Sequence, residues 1–240
     1  TPLYSSAASD VYKRQVRRTP EPEFRTKRCN QWVSSATGWL PTGSWEACAG
    51  EIDLTDKDYI IGFDGSFSGD STVLVGATVE EQPQVFMIRA WEKDITIHDD
   101  QWRVDILEVE NTIRDYVKAN PRIKEIACDP YRWSRSMEIL QDEGYPIVEY
   151  PSTNARRMVP ACARFADAVL DGNMIHDGDP LLARHLSNAV VKVDNLGPRI
   201  VKENRNSNRR IDAAVAAVIA FDRATVSRIC LLYTSDAADE

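Results

Sequence analysis

Residues 59–66, YIIGFDGS, and residues 123–130, IKEIACDP, each run from apolar side chains into an aspartate followed by a turn-forming residue. Each reads as a strand covered on both faces that ends in an acid, Asp64 in the first and Asp129 in the second. A third stretch, residues 209–221, RRIDAAVAAVIAF, opens an Ala-rich apolar helix with Asp212. Two strand-end acids and one helix-start acid can meet at a single edge of a sheet. Three close carboxylates raise one another's pKa unless a cation neutralises them, and hard divalent ions such as Mg²⁺ or Mn²⁺ take oxygen ligands of this kind. The pattern implies a two-ion site for phosphodiester hydrolysis, with Asp64 bridging both ions and Asp129 and Asp212 each favouring one. Asp70, in a Gly-Asp pair, is either an auxiliary ligand or ordinary turn chemistry.

Around these acids the chain changes period. Residues 71–80 (STVLVGATVE) and 84–92 (QVFMIRAWE) continue the strand pattern, so residues 59–92 predict an antiparallel meander. Residues 99–120 then carry Trp102, Ile106, Val109, Ile113 and Val117 at helical spacing, with Asp99 or Asp100 as the cap. Strand 123–129, helix 134–144, strand 146–152 and helix 155–172 follow, an alternation that implies parallel crossovers. A short strand at 174–177 precedes residues 179–194, expected to be helical with Asp179 capping before Pro180. Residues 198–205 are expected as a last strand or an ordered loop. Asp222 falls on another face of the last helix from Asp212 and is expected to be solvated.

With 240 residues and 43% hydrophobic composition, the chain can bury a full core in one domain. No apolar run approaches the ~20 residues that span a bilayer. Five cysteines lack CxxC spacing and read as buried, reduced thiols; His98, His176 and His185 fit no ligand spacing and read as core or surface histidines. The net charge of −8 argues against a protein that coats nucleic acid. Basic residues nevertheless crowd the acids. Arg132, Arg135, Arg156 and Arg157 follow Asp129, while Arg199, Lys202, Arg205, Arg209 and Arg210 precede Asp212, and such clusters can hold a phosphate backbone without reading sequence. GSFSGDST, residues 65–72, lacks the Lys of a phosphate-binding GxxxxGK[ST] loop.

Both ends look foreign. Residues 5–15, SSAASDVYKRQ, can be encoded by a string resembling a transposase adapter used in preparing sequencing libraries, and its reverse complement encodes residues 230–240, CLLYTSDAADE. The expected organisation is therefore adapter-like sequence at 1–15 and 230–240, an arm at 16–58 and the domain proper at 59–229. Trp32, Trp39 and Trp45 are too many large rings to leave in water, so the arm should pack on a body.

A mixed α/β sheet made of a three-strand antiparallel meander followed by parallel βα units, flanked by helices, resembles the ribonuclease-H-like fold. The motifs FRTKRCNQWV, IGFDGSFSGDSTVLVG, ACDPYRW and above all DPLLARHLSNAVVKVDNLGPRIVKENRNSNRRIDAAVAAVIAFDRA make the chain, over about residues 20–225, similar to the C-terminal nuclease domain of tailed-bacteriophage terminase large subunits. That resemblance implies Asp64, Asp129 and Asp212 as metal-binding acids, and Ala213 stands where some relatives carry a second acid. It also implies an endonuclease that cuts concatemeric double-stranded DNA with two Mg²⁺ or Mn²⁺ ions, in the host cytoplasm during viral assembly. An upstream ATPase outside this chain, a small terminase subunit and a portal protein as partners, and no membrane, belong to the same expectation. The rival readings are another ribonuclease-H-like nuclease of resolvase or transposase type, an actin-like phosphotransferase, which would need a second Gly-rich loop, and a non-catalytic portal-docking module.

Overall fold

The computed structural model describes residues 38–66, 71–94, 98, 101–204 and 207–236, with backbone alone for residues 194 and 231–236. Asp70, Arg205, Cys29, Trp32, Asp99 and Asp100, and with them the adapter-like N-terminal stretch, lie outside the described residues.

Strands β1 (Tyr59–Gly65), β2 (Thr72–Thr78) and β3 (Gln84–Trp91) form the antiparallel meander, and β4 (Ile123–Cys128) and β5 (Ile147–Glu149) add in parallel on the other side of β1. A two-residue strand β6 (Ile175–His176) pairs in parallel with β3, so the six-stranded sheet has the order β5-β4-β1-β2-β3-β6. Helices α1 (Ile106–Ala119) and α2 (Ser134–Asp142) cover one face, while α3 (Ala155–Asp171), α4 (Pro180–Asn188) and α5 (Asp212–Asp236) cover the other. No described helix is long and apolar enough to cross a membrane.

Alternation along β1 explains the two cores. Tyr59, Ile61 and Phe63 pack with α1 and α2 side chains such as Val109, Ile113 and Met137. Ile60 packs with the other layer, and by the same alternation Gly62 and Asp64 face α5. Helix α5 lies almost on the backbone of β1, since its Ala213, Ala214, Ala216 and Ala217 are buried and add little bulk. A Cβ on Gly62 would meet the Ala216 carbonyl oxygen at 2.1 Å.

Three expectations need correction. Helix α1 starts at Ile106, capped by Asp105, whose carboxylate accepts the Leu107 and Glu108 amides, rather than at residue 99. The expected helix over 179–194 ends at Asn188, because Val190, Val191 and Val193 favour a strand: β7 (Val190–Asp194) pairs with β8 (Gly197–Val201) as a separate hairpin. Asp222 is not solvated but 6% exposed, accepting from Tyr150 Oη at 2.8 Å and ion-paired with Arg164. Elsewhere the cap at Asp179 forms, accepting the Leu181 and Leu182 amides, and Gly172 ends α3 at φ 68°.

The described part of the arm packs on this domain. Trp39 and Trp45 stack near Phe165, and Trp45 lies on His176 with centroids 3.7 Å apart. Cys48, Cys128 and Cys162 are buried free thiols, whereas Cys230 is exposed.

Candidate metal centre and its surroundings

The sheet register brings the three acids to one edge. Asp64 is the penultimate residue of β1 and pairs with Val73 of β2. Asp129 follows the last residue of β4, and its amide donates to the Phe63 carbonyl at 3.0 Å, extending the β1–β4 ladder by one position. Asp212 opens α5, and its Oδ2 accepts the amide of Ser71, the residue just before β2, at 3.1 Å. Asp129 is buried, 5% exposed, while Asp64 and Asp212 are half-buried.

Protein donors orient Asp129 as well as Asp212. Asp129 Oδ1 accepts the Tyr131 amide at 2.9 Å, and its Oδ2 accepts the Ser152 amide at 3.1 Å and the Ser152 hydroxyl. Asp129 therefore does not cap α2; it ties the turn after β4 to the turn after β5. Among the described residues, no three His, Cys, Asp or Glu side chains are gathered as a metal cage. The shared edge comes from the backbone, and the carboxylates lean on neighbouring N–H and O–H groups. The donor set fits hard cations chemically, since all three side chains offer carboxylate oxygens and no thiolate or imidazole competes.

The basic residues divide. Arg132, Arg135, Arg156 and Arg157 are exposed, Lys202 is partly exposed, and Arg209 is exposed 3.7 Å from Glu203. Arg132 takes the left-handed conformation at φ 66°, and its guanidinium lies over the ring of Tyr131, which is 62% exposed. A non-glycine residue held at positive φ is strained, and such strain gathers where a side chain must be aimed. Arg210 stands apart. It is 8% exposed, ion-paired with Glu92 and donating to the Lys93 carbonyl at 3.2 Å, so its charge is spent inside the protein instead of facing a ligand.

Glu92 is the centre of that cluster, with Arg210 and His185 buried and Arg184 exposed. Arg184 lies 2.7 Å from Glu92 Oε2 and His185 Nε2 3.5 Å from it. Burial pushes the Glu92 pKa up, but His185, Arg210 and Arg184 together outweigh burial and hold it at about 2 against an ordinary 4.5. A depressed folded pKa means stability present above pH 4.5 and lost as pH falls towards 2, about 3 kcal/mol in all for a carboxylate only 17% exposed. Urea unfolding at stepped pH should therefore show the stability gap between wild type and Glu92→Gln shrinking below pH 4.5. A gap independent of pH would contradict the assignment.

Three neighbours escaped the sequence reading, Ser152, Ser71 and Glu92, and a fourth, His185, was read there only as a core or surface histidine. Each acts through a contact distant along the chain, and Ser152 alone left a faint signal, lying in the turn after a strand parallel to that of Asp129. A cavity of about 620 Å³ lies between Trp39, Pro41, Cys162, Leu186 and Arg199, and none of the three acids lines it.

A mixed sheet of this order and register, with helices on both faces, defines a ribonuclease-H-like fold. The chain belongs to the terminase large subunit family: the family model for the terminase large subunit endonuclease domain matches residues 88–228. It is 31% identical over 227 residues to the gene 13 protein of Mycobacterium phage L5, covering 85% of this chain and 38% of that protein. The chain thus spans well under half the length of that relative. Among solved structures it is similar to the HK97 bacteriophage large terminase, with TM-score 0.67, 22% identity, 92% of this chain and 51% of the other. It is also similar to the large terminase nuclease from thermophilic phage G20c with bound magnesium, with TM-score 0.52, 12% identity, 79% of this chain and 99% of the other. The two structural likenesses establish the fold, and the family match establishes a phage terminase nuclease domain.

Proposed function

We propose that this domain is a metal-dependent endodeoxyribonuclease whose Asp64, Asp129 and Asp212 hold two Mg²⁺ or Mn²⁺ ions. In the whole protein it would cut concatemeric viral double-stranded DNA at the start and end of head filling, in the host cytoplasm, alongside a small terminase subunit and a portal protein. The observation that carries this reading is the common edge: Asp129 hydrogen-bonded to β1 beside Asp64, and Asp212 hydrogen-bonded to the residue that leads into β2. The magnesium in the G20c terminase nuclease supports the choice of ion. Bound metal would supply an activated water and stabilise the leaving oxygen.

The chain's own groups do the rest. Ser152 and the Tyr131 amide hold Asp129, and the Ser71 amide holds Asp212, so these donors would orient both carboxylates around a cation. Arg132, Arg135, Arg156 and Arg157, exposed after the Asp129 and Ser152 turns, would contact phosphates, with Lys202 and Arg209 beside Asp212. Asp70 and Arg205 complete the proposed metal and DNA sets on sequence grounds alone.

The test is cleavage of supercoiled plasmid. Nicked and linear DNA should appear with Mn²⁺ or Mg²⁺, vanish with EDTA and return when metal is restored. Cleavage indifferent to chelation, or none at any metal concentration, would reject this reading.

A further inference from the structure

We propose that His185 is a positioning residue for Asp212, an inference that rests on the metal-site reading above. His185 is fully buried, 0% exposed, on α4, and its Nδ1 accepts the backbone amide of Ala213 at 3.0 Å. That amide belongs to the first turn of α5, where helical N–H groups have no partner within the helix. The ordinary helical ladder begins two residues later, with the Val215 amide on the Ile211 carbonyl at 3.0 Å. His185 therefore supplies, from another helix, the acceptor that a Ser or Asp cap would normally provide, and the residue it grips directly follows Asp212.

The second ring nitrogen lies beside a carboxylate. Because Nδ1 accepts, the ring proton sits on Nε2, which faces Glu92 Oε2 at 3.5 Å. Glu92 lies just beyond the end of β3 and also binds Arg210, two residues before Asp212, while Asn188 Nδ2 donates to the Arg210 carbonyl at 3.0 Å. Residues 210 and 213 are thus pinned on either side of Asp212 by groups from α4 and from the end of β3. Asp212 reaches Ser71, just before β2, only if this turn stays where it is, and a carboxylate meant to share an ion with Asp64 and Asp129 has little room for error.

Three substitutions separate this role from mere packing. His185→Leu removes the acceptor and keeps apolar bulk. His185→Gln places its amide near the Nε2 position and leaves the Nδ1 position empty. His185→Asn restores an oxygen near Nδ1. In metal-free protein, amide hydrogen exchange at Ala213 should quicken about tenfold or more in His185→Leu and His185→Gln and stay near wild type in His185→Asn. Mn²⁺ affinity, read by electron paramagnetic resonance titration, should fall about tenfold in the first two and recover in the third, the range typical of lost outer support around a metal ligand. Should His185→Leu not fold, the Gln and Asn pair carries the same comparison. Unchanged Ala213 exchange in the Leu or Gln variant overturns the positioning role, as does an Asn variant as defective as the other two. Asp212→Asn is the control for the site itself. If it binds Mn²⁺ like wild type, the metal-site reading fails and this inference with it; if it loses Mn²⁺ while His185→Gln does not, this inference alone fails.

Discussion

Asp64→Asn should abolish metal-dependent nicking of supercoiled plasmid, lowering the rate by three orders of magnitude or more, about 4 kcal/mol of barrier. The substitution keeps the size and shape of the side chain and removes only its charge. Asp64 lies between the positions of Asp129 and Asp212, because β4 pairs with one side of β1 and β2 with the other. In the proposed site a neutral amide there would be a poorer cation ligand than a carboxylate, so metal binding should weaken. Stability should move the opposite way. Without metal, three neighbouring carboxylates repel one another, and removing the middle charge relieves that repulsion. The metal-free variant should melt at or slightly above the wild-type temperature, and the rise in Tm that Mn²⁺ gives the wild type should disappear. Calorimetry with and without Mn²⁺, beside the plasmid assay, checks both halves. Wild-type nicking by Asp64→Asn would remove Asp64 from the site.

Gly62→Ala should destabilise the domain by about 3 kcal/mol or more, through overpacking rather than chemistry. Its added methyl would meet the Ala216 carbonyl oxygen at 2.1 Å and the Ala220 amide nitrogen at 2.8 Å, both backbone atoms of α5. No rotamer change relieves a clash between two backbones, so the helix must slide off the strand. For a domain of this size the expected fall in Tm is about 6–12 °C. Any protein that folds with α5 displaced should also bind Mn²⁺ poorly, since Asp212 opens that helix. A variant with wild-type Tm would show that α5 and β1 are less tightly apposed than the 2.1 Å approach requires.

These two predictions draw on different depths of the sequence. Asp64 and Asp129 stood out because a charge at the end of an apolar run needs a reason, a conflict the local pattern displays, whereas Asp212, opening an apolar helix, drew its meaning from the other two. The meander and the parallel βα units were legible for the same cause, as strand and helix periods are local. The error at 179–194 shows where local reading stops. LLARHL and VVKV join without a breaker, and only pairing with GPRIV turned the valines into a strand. Asp222 is a second case, because its position on the helix carries no sign that Tyr150 and Arg164 wait opposite it. Arg210 is a third: beside four other cations it looked like part of a phosphate-binding cluster, and the fold spends it on Glu92.

Composition and apolar periodicity determined the class of fold, and the placement of three acids pointed to metal-dependent hydrolysis, because each is written in neighbouring residues. Tertiary structure alone decided which donors hold each carboxylate, which arginines remain exposed, and that a buried histidine ends up gripping the turn beside Asp212. Those outcomes depend on pairs such as Glu92 with Arg210 and Asp129 with Ser152, brought together by strand register and helix packing. Contacts across that much chain leave no period in the sequence, so only the assembled sheet could reveal them.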